Sequence, residues 1–281
     1  MNQMRWKLLT RQLLEQKSAL IALIVLGVYV IAAIAAPLFT QDPNTIHLDE
    51  RLLPPSSQHW FGTDDNGRDY FARAVYGARV SLSVGVLAMI VSVAIGTMVG
   101  AISGYFGGKI DSLLMRAIDI GMSIPSFFLM LILNAYLKPS ILTIILIIGL
   151  LSWMSISRIV RAETISVKER EYVLYARLSG HSSLRIITRH IIPSIVPTII
   201  VAATLNVAGV IMMETALSFI GLGILPPNAS WGSMLNNAKG YIGENPTLAL
   251  FPGLLILTTV LSFNYLGDVF RAAFEPKTNR R

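Results

Sequence analysis

The sequence predicts an all-α polytopic membrane protein with six transmembrane helices, and three observations predict it. Apolar side chains make up 53% of the chain and charged ones only 14%, against about 25% charged in an ordinary soluble domain. Lipid accepts that much apolar surface, whereas a soluble fold cannot hide it. Six stretches are almost free of charge over about 20 residues, the length a helix needs to cross a bilayer. The connecting segments also differ sharply in Lys and Arg content, as loops on two sides of a membrane do.

The first stretch, residues 20–39, has an apolar run longer than the roughly 7–15 residues of a signal-peptide core. Pro37 follows the small residues that a cleavage site would need, so the stretch reads as a retained anchor. The loop 40–80 carries Pro43, Pro54, Pro55 and several aspartates and is expected to pack on the outer face. The remaining stretches are 81–103, 118–137, 139–157, 191–213 and 247–267. None alternates with period two, so all read as helices. Pro125 and Pro252 should bend theirs; a gating hinge and a static kink fit equally.

Placing the amino terminus inside leaves 17 of the 23 Lys and Arg in inner segments. The outer six are Arg51, Arg68, Arg73, Arg79, Lys138 and Lys239. Membrane topology therefore accounts for the net charge of +7 without a nucleic-acid partner. The expected organisation is 1–79 (cytoplasmic segment, anchor helix and outer loop), a five-helix core at 80–271, and a cytoplasmic tail at 272–281. No cysteine is present, so disulfides and thiolate metal sites are excluded.

The inner stretch, about 158–193, is too long and too patterned for a turn. Its centre reads EREYVLYARLSGHSSLRIITRHIIP. Glu171, Val173, Leu174, Ala176 and Leu178 form a short, partly apolar helix that Ser179-Gly180 breaks. A second helix from about Ser182, carrying Leu184, leads into Pro193 and the fifth span. One reading is an amphipathic helix lying on the membrane surface. The other is a docking helix for a cytosolic partner, whose glycine bend transmits motion into the spans.

Gly96, Gly100 and Gly104 form a double G-x-x-x-G ridge, which lets two helices approach closely, within the subunit or across a dimer. Arg116 and Asp119 lie three apart and can pair, as a structural contact or as part of a pathway or gate. Glu214 falls just past the fifth stretch at the outer mouth, placed to meet substrate amines or to bond into the 217–223 turn. The four histidines show no H-E-x-x-H pattern, so no metal site is expected, although His47 and His59 share the outer loop. GYFGGKI at 104–110 fails the phosphate-loop spacing at Ser103 and Ile110, so nucleotide hydrolysis is expected on another polypeptide and no cofactor is expected here.

The 169–193 segment resembles the signature loop of binding-protein-dependent ABC permeases, Glu-Ala-Ala, three residues, Gly, nine residues, Ile-x-Leu-Pro. It keeps Ala176, Gly180 and Pro193 and departs at Leu174, Tyr175 and His190. Four further blocks, at 59–82, 104–125, 214–223 with 230–242, and 251–276, resemble the dipeptide/oligopeptide/nickel branch of that family. The likeness covers nearly all of the chain from Asp42 onward. It implies a six-span type I importer permease paired with a sister subunit, most simply as a heterodimer. It also implies two cytosolic ABC ATPases gripping the 171–184 region and an extracytoplasmic binding protein delivering cargo, the whole sitting in the cell inner membrane. Cargo would be short peptides, with nickel or a metal chelate as the alternative. An ion-coupled secondary transporter is the other class; it would need buried ionisable groups at mid-membrane and inverted repeats, neither of which is clear in the sequence.

Overall fold

The computed structural model describes residues 16–137 and 140–274. The basic segment before residue 16, Lys138 and the tail from 275 lie outside the described residues. Among the described residues, five helices are long and apolar enough to cross a membrane, and a bent pair makes a sixth when taken as one span.

Helix α1 (Lys17–Phe39) leaves Ile21, Ile24, Ile31 and Ile34 more than half exposed while burying Ala22, Ala33 and Ala36. Small residues face the protein and branched ones face outward, the pattern of a helix bathed in lipid. Asp69 caps α2 (Tyr70–Phe106) by accepting the Ala72 N–H at 2.7 Å. At 37 residues α2 is about 55 Å long and extends beyond a hydrocarbon layer of about 30 Å.

The glycine ridge of α2 lies on α5 (Ile141–Lys168) of the same chain. A Cβ on Gly96 would stand 2.9 Å from the Trp153 carbonyl oxygen, and one on Gly104 would stand 2.8 Å from that of Arg161. Gly149 of α5 returns the fit against Val91 and the Ala88 carbonyl. α2 and α5 therefore touch backbone to backbone.

A single residue, Gly107, separates α2 from α3 (Gly108–Ser123), and its φ of 64° reverses the chain between them. Only glycine adopts that left-handed conformation without strain. The third crossing is not a straight helix over 118–137. α3 breaks at Ile124-Pro125 and resumes as α4 (Ser126–Tyr136), bent by 77°. Pro125 cannot continue the helical ladder, and residue 124 is pushed into extended backbone. Pro252, in contrast, sits inside the unbroken α10 (Thr247–Phe274).

The fifth crossing begins earlier than the hydropathy suggests. The short α7 (Ser183–Ile186) passes through a π turn at Ile187–Ile191 into α8 (Ile192–Phe219). Pro193 and Pro197 lie early in α8. A π turn widens the ladder where the Pro193 ring would otherwise strike the carbonyl four residues back. A short helix, α9 (Trp231–Ala238), fills the gap between α8 and α10 and is held by a Ser230/Ser233 capping box. The helix ends at Gly107 and around 169–182 share one end of the bundle, hereafter the basic end. The loop 40–69 and α9 lie at the other.

Candidate functional site

At the basic end, α6 (Glu171–Leu178) is a separate two-turn helix. Gly180 has φ of 75° and closes it. Its N–H bonds to the Arg177 carbonyl at 3.1 Å and the His181 N–H to that of Ala176 at 3.2 Å, the paired bonds of a Schellman cap. The residues singled out in this helix divide between two faces. Val173 is fully buried and Ala176 nearly so, packed with Ile156, Val160, Ile186 and Ile191. These two anchor the helix and are not available to a partner, which corrects the expectation that the apolar set acts together. Leu174, Tyr175 and Leu178 of α6, and Leu184 of the following α7, point away from the bundle, the last two 83% and 72% exposed. Glu171 and Arg177 flank this face, with the Arg177 guanidinium 5.5 Å from the centre of the Tyr105 ring. The Tyr172 and Ser194 hydroxyls meet at 2.8 Å and tie α6 to α8.

Above this helix two ion pairs join α3 to α5. Arg161 meets Asp111 at 2.5 Å through both Nε and Nη2, and the Ser103 hydroxyl also donates to Asp111. Asp119 does not pair with Arg116; it pairs with Arg158 of α5 at 2.5 Å. The three-residue spacing permits the local pair, but the packing of α5 brings Arg158 to the carboxylate first. Arg116 is exposed.

Glu214 is not at an open mouth. α8 continues past it to Phe219, and its side chain is completely buried. The Ser218 hydroxyl donates to Oε1 at 2.6 Å and the Ser81 hydroxyl to Oε2 at 3.4 Å. Those serines in turn accept backbone N–H groups, Ser81 from Trp231 at 3.2 Å and Ser218 from Ile224 at 3.0 Å. Glu214 thus fixes the hydroxyl protons that leave both serine lone pairs free for the chain entering α9. The Trp231 indole N–H donates to the Ala74 carbonyl at 2.9 Å and completes the joint. Sequence reasoning missed Ser81, Ser218 and Trp231; Ser218 alone had a local signal, its i+4 spacing from Glu214.

The loop 40–69 is built around a second buried polar cluster. Arg68 bonds Asp64 at 2.7 Å, Arg73 lies 3.5 Å from the same carboxylate and donates to the Pro43 carbonyl at 3.1 Å. His59 meets Asp69, the α2 cap, at 2.8 Å. Phe61 stacks on Phe251 at 3.9 Å and seats the loop on α10.

Comparison with known proteins decides what this bundle is. Residues 96–280 match the family described as the inner membrane component of binding-protein-dependent transport systems. The chain belongs to this family. Residues 5–55 of the permease also match the N-terminal transmembrane domain of oligopeptide transport permease C. It is 40% identical over 97% of its length, and 90% of the relative's, to the dipeptide transport permease DppC of Alkalihalophilus pseudofirmus. Identity to the oligopeptide permease OppC of Bacillus subtilis is 37%, over 98% of this chain and 90% of that one. OppC of Haemophilus influenzae is 38% identical over 97% and 88%. Among solved structures, an inward-facing MetNI methionine ABC transporter superposes with a TM-score of 0.60 at 19% identity, covering 73% of this chain and 98% of its own. That likeness establishes the importer-permease fold. The protein is thus a transport subunit of an ABC system, and ATP hydrolysis is not its own task.

Proposed function

We propose that this permease forms half of the transmembrane pathway of an ATP-driven importer of short peptides. The energy-coupling part rests on an outward apolar face in which Leu174, Tyr175 and Leu178 of α6 and Leu184 of α7 are uncovered, with α6 anchored from behind by Val173 and Ala176. Such a face, rigidly seated and flanked by charge, suits the groove of a cytosolic ATPase. ATP binding would draw two such helices together, and the ties from α6 to α8 would carry that motion into the spans. A sister permease, related in fold but different in sequence, completes the pathway, two ATPases sit at the basic end, and an extracytoplasmic binding protein loads the opposite end. In this reading the basic end is cytoplasmic and both termini are inside, which the Lys and Arg distribution supports.

Peptide cargo is favoured by the relatives named above, which are dipeptide and oligopeptide permeases. The test is uptake of a labelled dipeptide and of nickel by cells with the gene deleted and restored. Peptide uptake should collapse on deletion and return with the gene. Unchanged peptide uptake with lost nickel uptake would replace the cargo while leaving the architecture in place.

A further inference from the structure

We infer that Asp119 and Arg158 form a charged subsite in the wall of the translocation pathway, where the ammonium and carboxylate of a short peptide take over the pair's own contact. This rests on the peptide-importer reading above.

The argument starts from one line of residues on α5, spaced by alternating fours and threes so that they share a face: Ile144, Ile148, Leu151, Ser155, Arg158 and Ala162. Ile144 and Ile148 are 1% and 0% exposed, in a buried cluster that also holds Met130 of α4, with Phe127 packed against it. Past the 77° break, α3 departs from the direction of α4. There the same line of α5 becomes exposed, and its chemistry changes to Ser155, Arg158 and Ala162. Cover and apolarity are lost at the same level.

A face turned to lipid looks different. Near its other end α5 exposes Leu142, Leu146 and Leu150, an apolar stripe. The Asp119 and Arg158 side chains remain 55% and 46% exposed although they touch at 2.5 Å. Asp119 and Arg158 stand at the inner ends of the third and fourth crossings, where water reaches half-exposed charges. The back of α5 is clamped on the glycine ridge at Ser157 and Val160, so the position of Arg158 is fixed relative to the bundle. An exposed ion pair contributes little net stability, so a zwitterion bringing both opposite charges can open it cheaply. Arg116, exposed one turn along α3, offers a second cation to the carboxylate.

The chain contains no cysteine, so an introduced thiol is the only one this subunit carries, and labelling is read on its own gel band. In the complete transporter, reconstituted with its ATPases, sister subunit and binding protein, Ser155→Cys should react with a membrane-impermeant hydrophilic thiol reagent supplied on both faces. A transported dipeptide should slow that reaction. Ser157→Cys, buried on the ridge, and Leu146→Cys, on the apolar stripe, should stay unlabelled. Asp119→Asn and Arg158→Gln should each reduce dipeptide uptake at limiting peptide about tenfold, the scale of one lost charge-assisted hydrogen bond, while the subunits still co-purify. Unlabelled Ser155→Cys in a transporter that does move peptide overturns the subsite alone. Labelling that ignores peptide, together with normal uptake by both charge variants, overturns it equally. A transporter that moves no peptide overturns the cargo reading and the subsite with it.

Discussion

Gly100 packs directly on the carbonyl of Ser157, closer than any Cβ could stand. The Cβ of an alanine there would also meet the Val160 side chain at 2.8 Å and the Arg161 nitrogen at 3.0 Å. Two of these neighbours are backbone, so relief requires moving α2 off α5. Gly100→Ala should destabilise the subunit by about 1–3 kcal/mol, the usual cost of overpacking a tight interface. Thermal unfolding of the purified transporter would show it. Gly209, which has no atom within reach of an added Cβ, is the control and should tolerate alanine.

The two faces of α6 should fail in different ways. Leu178→Glu, at an exposed position, should leave the permease folded and in the membrane while ATPase co-purification falls at least tenfold. Val173→Asp places an unpaired charge in a buried apolar cluster and should lower the amount of folded protein itself, by several kcal/mol of stability. If Leu178→Glu retains its ATPases in full, the docking surface lies elsewhere.

Gly180 separates strain from contact. Nothing lies within 4 Å of a Cβ added there, yet its φ of 75° disfavours every side chain. Gly180→Ala should therefore cost only about 1 kcal/mol and keep coupled ATP hydrolysis near normal. Gly180→Pro cannot adopt that φ and loses the N–H that bonds Arg177. It should uncouple ATP hydrolysis from uptake.

At the opposite end, Glu214→Ala removes the acceptor for two buried serine hydroxyls. Leaving those donors unsatisfied should cost about 2–4 kcal/mol. Glu214→Gln keeps one carbonyl acceptor and should cost less. Both losses should appear as protease sensitivity in the 220–230 segment, because the serines hold the backbone leading into α9.

The Asp119 partner marks the boundary of sequence reasoning in this protein. A spacing of three made Arg116 the local choice, but Arg158, 39 residues away, holds the carboxylate. The spacing rule describes which groups can meet on one helix and says nothing of what a neighbouring helix brings to the same place.

The sequence alone determined what depends on local chemistry. Long charge-free runs located the crossings because lipid excludes unsatisfied polar groups, glycines four apart marked a close helix contact, and Ser179-Gly180 ended α6 because only glycine takes the left-handed closing turn. Only the tertiary structure decided which surface each residue faces. It turned Val173 and Ala176 inward, buried Glu214 against a serine 133 positions away, and put α5 beneath the glycine ridge. It also split the third crossing into two helices set 77° apart. The reason is that burial and partner choice are set by which helices lie side by side, and hydropathy along a chain carries no record of that adjacency.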